Sequence, residues 1–330
     1  MSVPKAPLFL DPIFDGATDP TVIRNEASGQ WWMFYTQRRA TVDEPGVAWV
    51  HGSRIGVAVS DTGEDWTYRG VLDGLDAAGV APGTNTHWAP EVIWDGQRYR
   101  MYLTVIDGIP QEWAGHSRHI VEFHSADLWN WTRMQRLELS SDRVIDACVE
   151  RCPDGLWRLW YKDEARNSTT WVATSADLTD WQVQGVAIAG RAHEGPNVFS
   201  LGGWCWMIVD EWRGMAVYRS TDARTWARQG GPDAVLLGEP GMRRTDATFG
   251  RHGDVVVDGE LAVLYYFTHP GWVGSELGTG AGATARLSAI QAVILRLDGD
   301  ALACNRNDLT PINLYPAAKV TLGSRIETIY

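Results

Sequence analysis

Several things are missing from this 330-residue chain, and each absence removes a class of function. No run reaches the about 18 apolar residues that a membrane-spanning helix needs, so a membrane span is not expected. The stretch Met1 to Leu10 has one Lys and an apolar patch from Ala6 to Leu10 broken by Pro7, too short for the hydrophobic region of a secretory leader. No Lys/Arg cluster offsets a net charge of −12, which argues against nucleic acid or an anionic membrane as partner. The cysteines, Cys148, Cys152, Cys205 and Cys304, show no zinc spacing and read as reduced core residues. The expected location is therefore the cytoplasm. Helical periodicity is weak throughout and no strand–helix–strand alternation is visible, which leaves an all-β chain.

What is abundant is Trp, with 18 copies, beside 34 Gly, a pairing that suggests short strands, tight turns and aromatic packing between sheets. A repeat supports this. Ser60–Trp66, Ser125–Trp131, Ser175–Trp181 and Ser220–Trp226 each place Ser six residues before Trp, and the last three share Ser-x-Asp. Each follows a strand-like run (Ile55–Val59, Ile120–Phe123, Trp171–Thr174, Met215–Tyr218), so the polar side chains close a turn and the Trp anchors the next strand. Aromatic strands follow Gly-containing turns at Gly29, Gly96, Gly155, Gly202 and Gly259. The unit holds about four antiparallel strands and recurs five times, the pattern of a five-bladed β-propeller.

The expected blades are 10–72, 85–138, 143–187, 194–236 and 245–300 of a single domain over 1–330, with 301–330 packing on the propeller. Ala289–Leu297 either completes the last blade or shares it with Pro7–Pro12. Thr41–Gly52 and the Gly-rich Gly274–Gly282 read as insertions over one face. A β-sandwich with coincidental turns is the plain alternative.

In a propeller the first strand of each blade lines the central channel. Asp19, Glu91, Asp146, Glu194 and Asp246 all fall near the start of a unit's first strand, so the ring gathers acids at its axis. Crowded carboxylates push one another's pKa values apart, a division that suits glycoside hydrolysis by an acid–base pair.

Thr18-Asp19-Pro20-Thr21-Val22-Ile23, Trp88-Ala89-Pro90-Glu91-Val92, Ile145-Asp146-Ala147-Cys148-Val149 and Glu194-Gly195-Pro196 resemble, in order, the motifs of family 43 glycoside hydrolases. The resemblance spans roughly residues 10 to 300. It implies a five-bladed propeller and an inverting enzyme acting mainly on arabinofuranosides and xylosides. By position Asp19 is then the general base, Glu194 the general acid, and Asp146 the group that tunes the acid and orients the sugar. The chain departs from the family at Ala147, where Pro is usual, and at Glu91, where Asp is commoner. His193 beside Glu194 resembles the related family 117, five-bladed hydrolases of anhydrogalactose-containing agar oligosaccharides in which a histidine is the proposed acid.

Around these acids the substrate-binding candidates are His87, Trp88, Glu91, His193, Arg244, Asp246 and His269, and Trp32, Trp49, Trp113 and Trp212 are further stacking candidates against a core role. No motif demands a cofactor or metal, although the resemblance allows a calcium or sodium ion on the channel axis, where His252 or His269 could stand. The reading is an inverting, exo-acting glycosidase on a short arabinofuranoside-, xyloside- or galactose-type oligosaccharide. Retaining fructoside enzymes are disfavoured because Ile145-Asp146-Ala147 lacks Arg-Asp-Pro, and a sialidase because five units are too few. A non-catalytic propeller that binds sugar or protein is the rival from another class. Oligomeric state is left open.

Overall fold

In the computed structural model, which describes residues 5–272 and 283–314, the repeats become five four-stranded antiparallel meanders. Blade 1 holds β1 (Ala17–Arg24), β2 (Trp31–Gln37), β3 (Arg54–Ser60) and β4 (Thr67–Val71). Blade 2 holds β5 (Thr86–Trp94), β6 (Tyr99–Ile106), β7 (His119–Ser125) and β8 (Thr132–Arg136). Blade 3 holds β9 (Val144–Arg151), β10 (Trp157–Asp163), β11 (Thr169–Ser175) and β12 (Gln182–Ile188). Blade 4 holds β13 (Glu194–Leu201), β14 (Trp204–Asp210), β15 (Met215–Ser220) and the two-residue β16 (Ala227–Arg228). Blade 5 holds β17 (Arg251–Asp258), β18 (Leu261–Thr268), β19 (Ala289–Asp298) and β20 (Ala301–Cys304). The five first strands touch in cyclic order β1, β5, β9, β13, β17 and back to β1, which closes the ring.

The repeated turns have a mechanism. Ser125 Oγ accepts from the backbone N–H of Asp127 and Leu128, Asp127 Oδ1 accepts from Trp129 and Asn130, and Trp131 Nε1 donates to the Leu128 carbonyl. Ser60, Ser175 and Ser220 make the same local bonds. The residue three after each Ser (Gly63, Leu128, Leu178, Ala223) has positive φ, the twist that reverses the chain. Each closing Trp then meets an aromatic on the second strand of the preceding blade edge-on. The pairs are Trp66–Tyr265, Trp131–Phe34, Trp181–Tyr102 and Trp226–Trp160, with ring centroids 5.9 to 6.2 Å apart. Such pairs contribute about 0.5–1.5 kcal/mol each beyond simple burial. The core is accordingly five clusters between blades rather than one central mass. Only the seam between blades 4 and 5 lacks the Trp pair, and there Trp206, Tyr266 and Leu295 fill the space.

The ends of the chain close the circle without sharing a strand. All four strands of blade 5 come from one continuous stretch, and Phe9 adds a short bridge to Ile290. Two boundaries differ from expectation. The fifth blade's first strand starts at Arg251, not near Asp246, because Arg244–Asp246 forms a 3-10 turn. Ala301–Cys304 belongs to the blade rather than to a trailing segment. Beyond it, Ile312 and Leu314 pack on the blade 5–blade 1 seam, while 315–330 lie outside the described residues. The Gly274–Gly282 insertion also lies outside them. Thr41–Gly52 does cover one face, where Val47, Trp49 and Val50 pack on Trp88 and Ala89.

Candidate active site

Every first strand is broken at the same depth. The register between first and second strands slips at Thr18/Thr21, Trp88/Glu91, Glu194/Asn197 and Arg251/Gly253, and in blade 3 at the equivalent point opposite Trp160/Lys162. In four blades the bulge puts one residue at positive φ: Asp19 at 49°, Ala89 at 42°, Asp146 at 58° and Gly195 at 56°. Non-glycine residues hold that conformation only where the surroundings compel it, commonly at functional sites. Pro20, Pro90 and Pro196 follow three of the kinks and fix the exit direction.

The surroundings are visible. A kink frees a backbone N–H, and the neighbouring blade accepts it. Ala89 N donates to Thr36 Oγ1 at 2.8 Å, Asp146 N to Thr104 Oγ1 at 3.1 Å, and His252 N to Asp210 Oδ2 at 3.1 Å. Thr36, Thr104 and Asp210 occupy one equivalent position on their second strands; in blade 3 that position is Lys162, which has no lone pair to offer. The Gly195 N–H turns instead to Asp146 Oδ2 at 3.1 Å. That substitution ties the acid of blade 3 to the kink beside Glu194.

Two of the kinked residues, Asp19 and Asp146, line a cavity of about 610 Å³ at one end of the channel. Asp19, Asp146 and Glu194 all line it, from blades 1, 3 and 4. His252 stands between them. Its Nδ1 lies 3.6 Å from Asp19 Oδ1, and its ring covers Gly195 so closely that a Cβ there would sit 2.6 Å from it, so only glycine fits. Trp88, Trp113 and Trp212 supply the aromatic walls. Trp88 is held by its Nε1 bond to the Val50 carbonyl, 2.9 Å. Trp32 and Trp49 belong to the apolar clusters instead.

The three carboxyls differ in ionisation. Burial, reinforced by Glu194 and Asp19, pushes Asp146 up to about 7 despite His252 and Lys162. Burial would raise Glu194 too, but the Lys162 ammonium, 3.1 Å from Oε2, and His252 outweigh it and hold Glu194 at about 2. Burial lowers His252, yet Asp146, Asp19, Glu194 and Asp210 more than reverse this and favour the imidazolium. Among the described residues no group of three or more His, Cys, Asp or Glu is placed to hold a metal ion.

Six expected site residues stand elsewhere. His87, on the opposite face of β5 from Trp88, is buried near Asp76, with Nε2 3.5 Å from its carboxylate. Glu91, two residues past the kink, faces a second cavity at the other end of the channel, where its Oε1 accepts from Val149 N at 2.8 Å. His193 has both ring nitrogens engaged within the chain: Nδ1 is 2.8 Å from the Arg191 carbonyl, and Nε2 accepts from Thr170 N at 3.0 Å. Asp246 is locked to Arg306 and receives the Tyr266 hydroxyl, a structural ion pair formed because the strand begins five residues later than expected. Arg244 is exposed on the same turn. His269 is buried behind the wall, its Nδ1 2.9 Å from the Leu287 carbonyl.

Sequence reasoning passed over Lys162, Arg38 and Arg251 as cavity residues, and rated His252 only as an axial candidate. A signal existed for Lys162: a lysine stands where two other blades have Thr.

Comparison with solved structures gives the same fold. A thermostable family-43 glycoside hydrolase superposes with a TM-score of 0.65 at 18% identity, covering 92% of this chain and 97% of the other. An exo-1,5-α-L-arabinanase from a bovine ruminal metagenomic library gives 0.63 at 17%, covering 90% and 99%. A β-xylosidase/α-arabinofuranosidase from a compost microbial metagenome, crystallised with xylotriose, gives 0.65 at 13%, covering 96% and 98%. No protein-family model and no curated protein matches the sequence. The chain therefore has the five-bladed propeller fold of the family-43 glycoside hydrolases.

Proposed function

We propose that this protein is a glycoside hydrolase that works by inversion on the end of a short arabinofuranoside-, xyloside- or galactose-type oligosaccharide. The observation that carries the reading is the meeting of Asp19, Asp146 and Glu194, from three blades, in one aromatic-walled cavity. The structural neighbours, which include an exo-acting arabinanase and a xylosidase, support the substrate range. In this mechanism Asp19 is the base that activates water on one face of the sugar. Glu194 is the acid that protonates the leaving oxygen, with Asp146 beside it through the Gly195 N–H. Four free thiols suit a reducing compartment and support a cytoplasmic location.

One observation favours a second assignment of the acid. Near neutrality Asp146 is partly protonated while Lys162 keeps Glu194 ionised, so the proton the pair retains sits on Asp146. On that assignment Asp146 is the donor and Glu194 a fixed charge beside the developing cation. Leaving-group dependence separates the two. The acid's variant, Glu194→Gln or Asp146→Asn, keeps much of its rate on a dinitrophenyl glycoside and loses it on an alkyl glycoside, because only a poor leaving group needs the proton. The hydrolase reading itself is tested with a panel of aryl glycosides and plant or algal oligosaccharides, following product configuration by NMR. Sugar binding without turnover on the whole panel favours a non-catalytic propeller, and product of retained configuration rules out inversion.

A further inference from the structure

The cavity carries more positive charge than the proposed chemistry uses. Arg38, Arg118, Arg143, Lys162 and Arg251 line it, in a chain whose net charge is −12. Two of the five are answered by carboxylates: Arg118 pairs with Glu164, and Lys162 with Glu164 and Glu194. Arg143 lies exposed at the mouth. Arg38 and Arg251 are different.

Arg251 is 5% exposed and has no hydrogen bond or ion pair among the described residues; the rings of Phe249 and Trp272 lie 4.5 and 5.1 Å from its guanidinium. The acids around it are engaged elsewhere, Asp210 by the N–H groups of Trp212 and His252, and Glu194 by Lys162. Among the described residues Arg38 reaches one acid, Asp19, at a long 3.4 Å, its guanidinium lies 5.4 Å from the Phe267 ring, and its Nε is buried without a partner. A guanidinium taken out of water without a paired acid loses hydration that aromatic faces restore only in part. The deficit is removed when a ligand brings an anion, because a carboxylate or sulfate takes charge-assisted bonds from the guanidinium fork that a neutral hydroxyl matches only weakly.

We propose that Arg38 and Arg251 form an anion subsite and that the substrate sugar bears an acidic group, a uronic carboxylate or a sulfate ester. The proposal rests on the glycosidase reading and narrows its substrate.

Calorimetry on the full chain tests it, with D-glucuronate, D-galacturonate and a galactose sulfate set against glucose, galactose and xylose. At least one acid should bind about 10- to 100-fold more tightly than its neutral counterpart. Its affinity should fall as salt rises. Arg251→Gln and Arg38→Gln should each pull the acid-to-neutral ratio towards one, with thermal melts confirming that the variants fold, and Arg251→Lys should keep part of it. Preference for uronates alone identifies a carboxylate, and for the sulfate alone a sulfate ester. Equal or weaker binding of every acid, or an acid preference that survives both substitutions, overturns the subsite. Aryl glycosides and aryl uronides then separate the two readings. Turnover of neutral glycosides with no acid preference sinks the subsite and leaves the hydrolase. Acid binding that depends on Arg251, with no turnover of any glycoside, leaves the subsite and sinks the hydrolase.

Discussion

The two ends of the central channel are built from the same five strands, yet they treat their acids differently. At the far end, in a cavity of about 390 Å³, Glu91 accepts from Val149 N, and Asp254 accepts from Val22 N and the Asn197 side chain. Burial and Asp254 raise Glu91, burial raises Asp254, and both face mostly backbone donors of neighbouring blades. They act as staples between blades. At the near end Asp19, Asp146 and Glu194 stand beside Arg38, Lys162 and His252 on the wall of the open cavity. Position on the axis is thus shared by both sets, and what separates them is the partner. Donors of neighbouring blades fix the far acids; at the near end Asp146 also takes a backbone N–H, from Gly195, but side-chain cations beside a void leave these acids able to act.

That contrast can be broken in four ways. The largest effect is expected at the near end: Asp19→Asn and Glu194→Gln should each lower kcat/KM by about 10²- to 10⁴-fold on an unactivated glycoside, with melting temperatures close to the parent. An equal loss from Glu91→Gln would erase the distinction between the two ends. Next comes Arg306→Met, which strands the buried Asp246 and should cost about 3–5 kcal/mol in denaturant unfolding while the activity per folded molecule holds. Lost activity at full stability would return Asp246 to the site. Glu91→Ala leaves Val149 N without an acceptor and should cost about 1–3 kcal/mol by the same measurement.

The smallest effect is in pH dependence. On the assignment that makes Asp146 the donor, with its carboxyl at about 7, activity should fall as pH rises through that value, and Lys162→Met should move the fall to higher pH because a cation that favours ionisation is gone. Stability follows the same group. A raised acid binds its proton more tightly when folded, so its contribution is present below the ordinary carboxylate range near pH 4 and is lost as pH climbs towards 7. Asp146→Asn should therefore gain melting temperature relative to the parent at pH 8 and not at pH 4. A parent whose activity is flat from pH 6 to 8 would remove Asp146 as the donor and leave the role to Glu194.

The fold was legible because its signals are local. A Ser-x-Asp turn closes through bonds within four residues, and its Trp is a large, recurrent mark. The acids at the kinks were legible for the same reason, since Thr18-Asp19-Pro20 and Glu194-Gly195-Pro196 announce a bend. Asp246 misled because it sits at about the right spacing, while its partner Arg306 lies 60 residues away. Glu91 misled by two positions, enough to carry a side chain to the other end of the channel. His193 stands next to Glu194 in sequence, but residues adjacent along a strand's entry point in opposite directions. Lys162 and Arg251 were hidden because only the closed ring brings them into the same cavity as Asp19 and Glu194.

The kinks have one more consequence. Because the same bend recurs at one depth around the ring, the chamber behaves as a set of equivalent sockets whose contents are set by single residues rather than by the scaffold. Blade 2 keeps the bend at Ala89 but fills it with a methyl group, and the apolar side of the chamber, Trp88 with Val50, lies there. Ala89→Asp would place a further carboxyl in a backbone geometry that Asp19 and Asp146 already tolerate, so the chemistry of such a ring can be rewritten blade by blade without redesigning its frame.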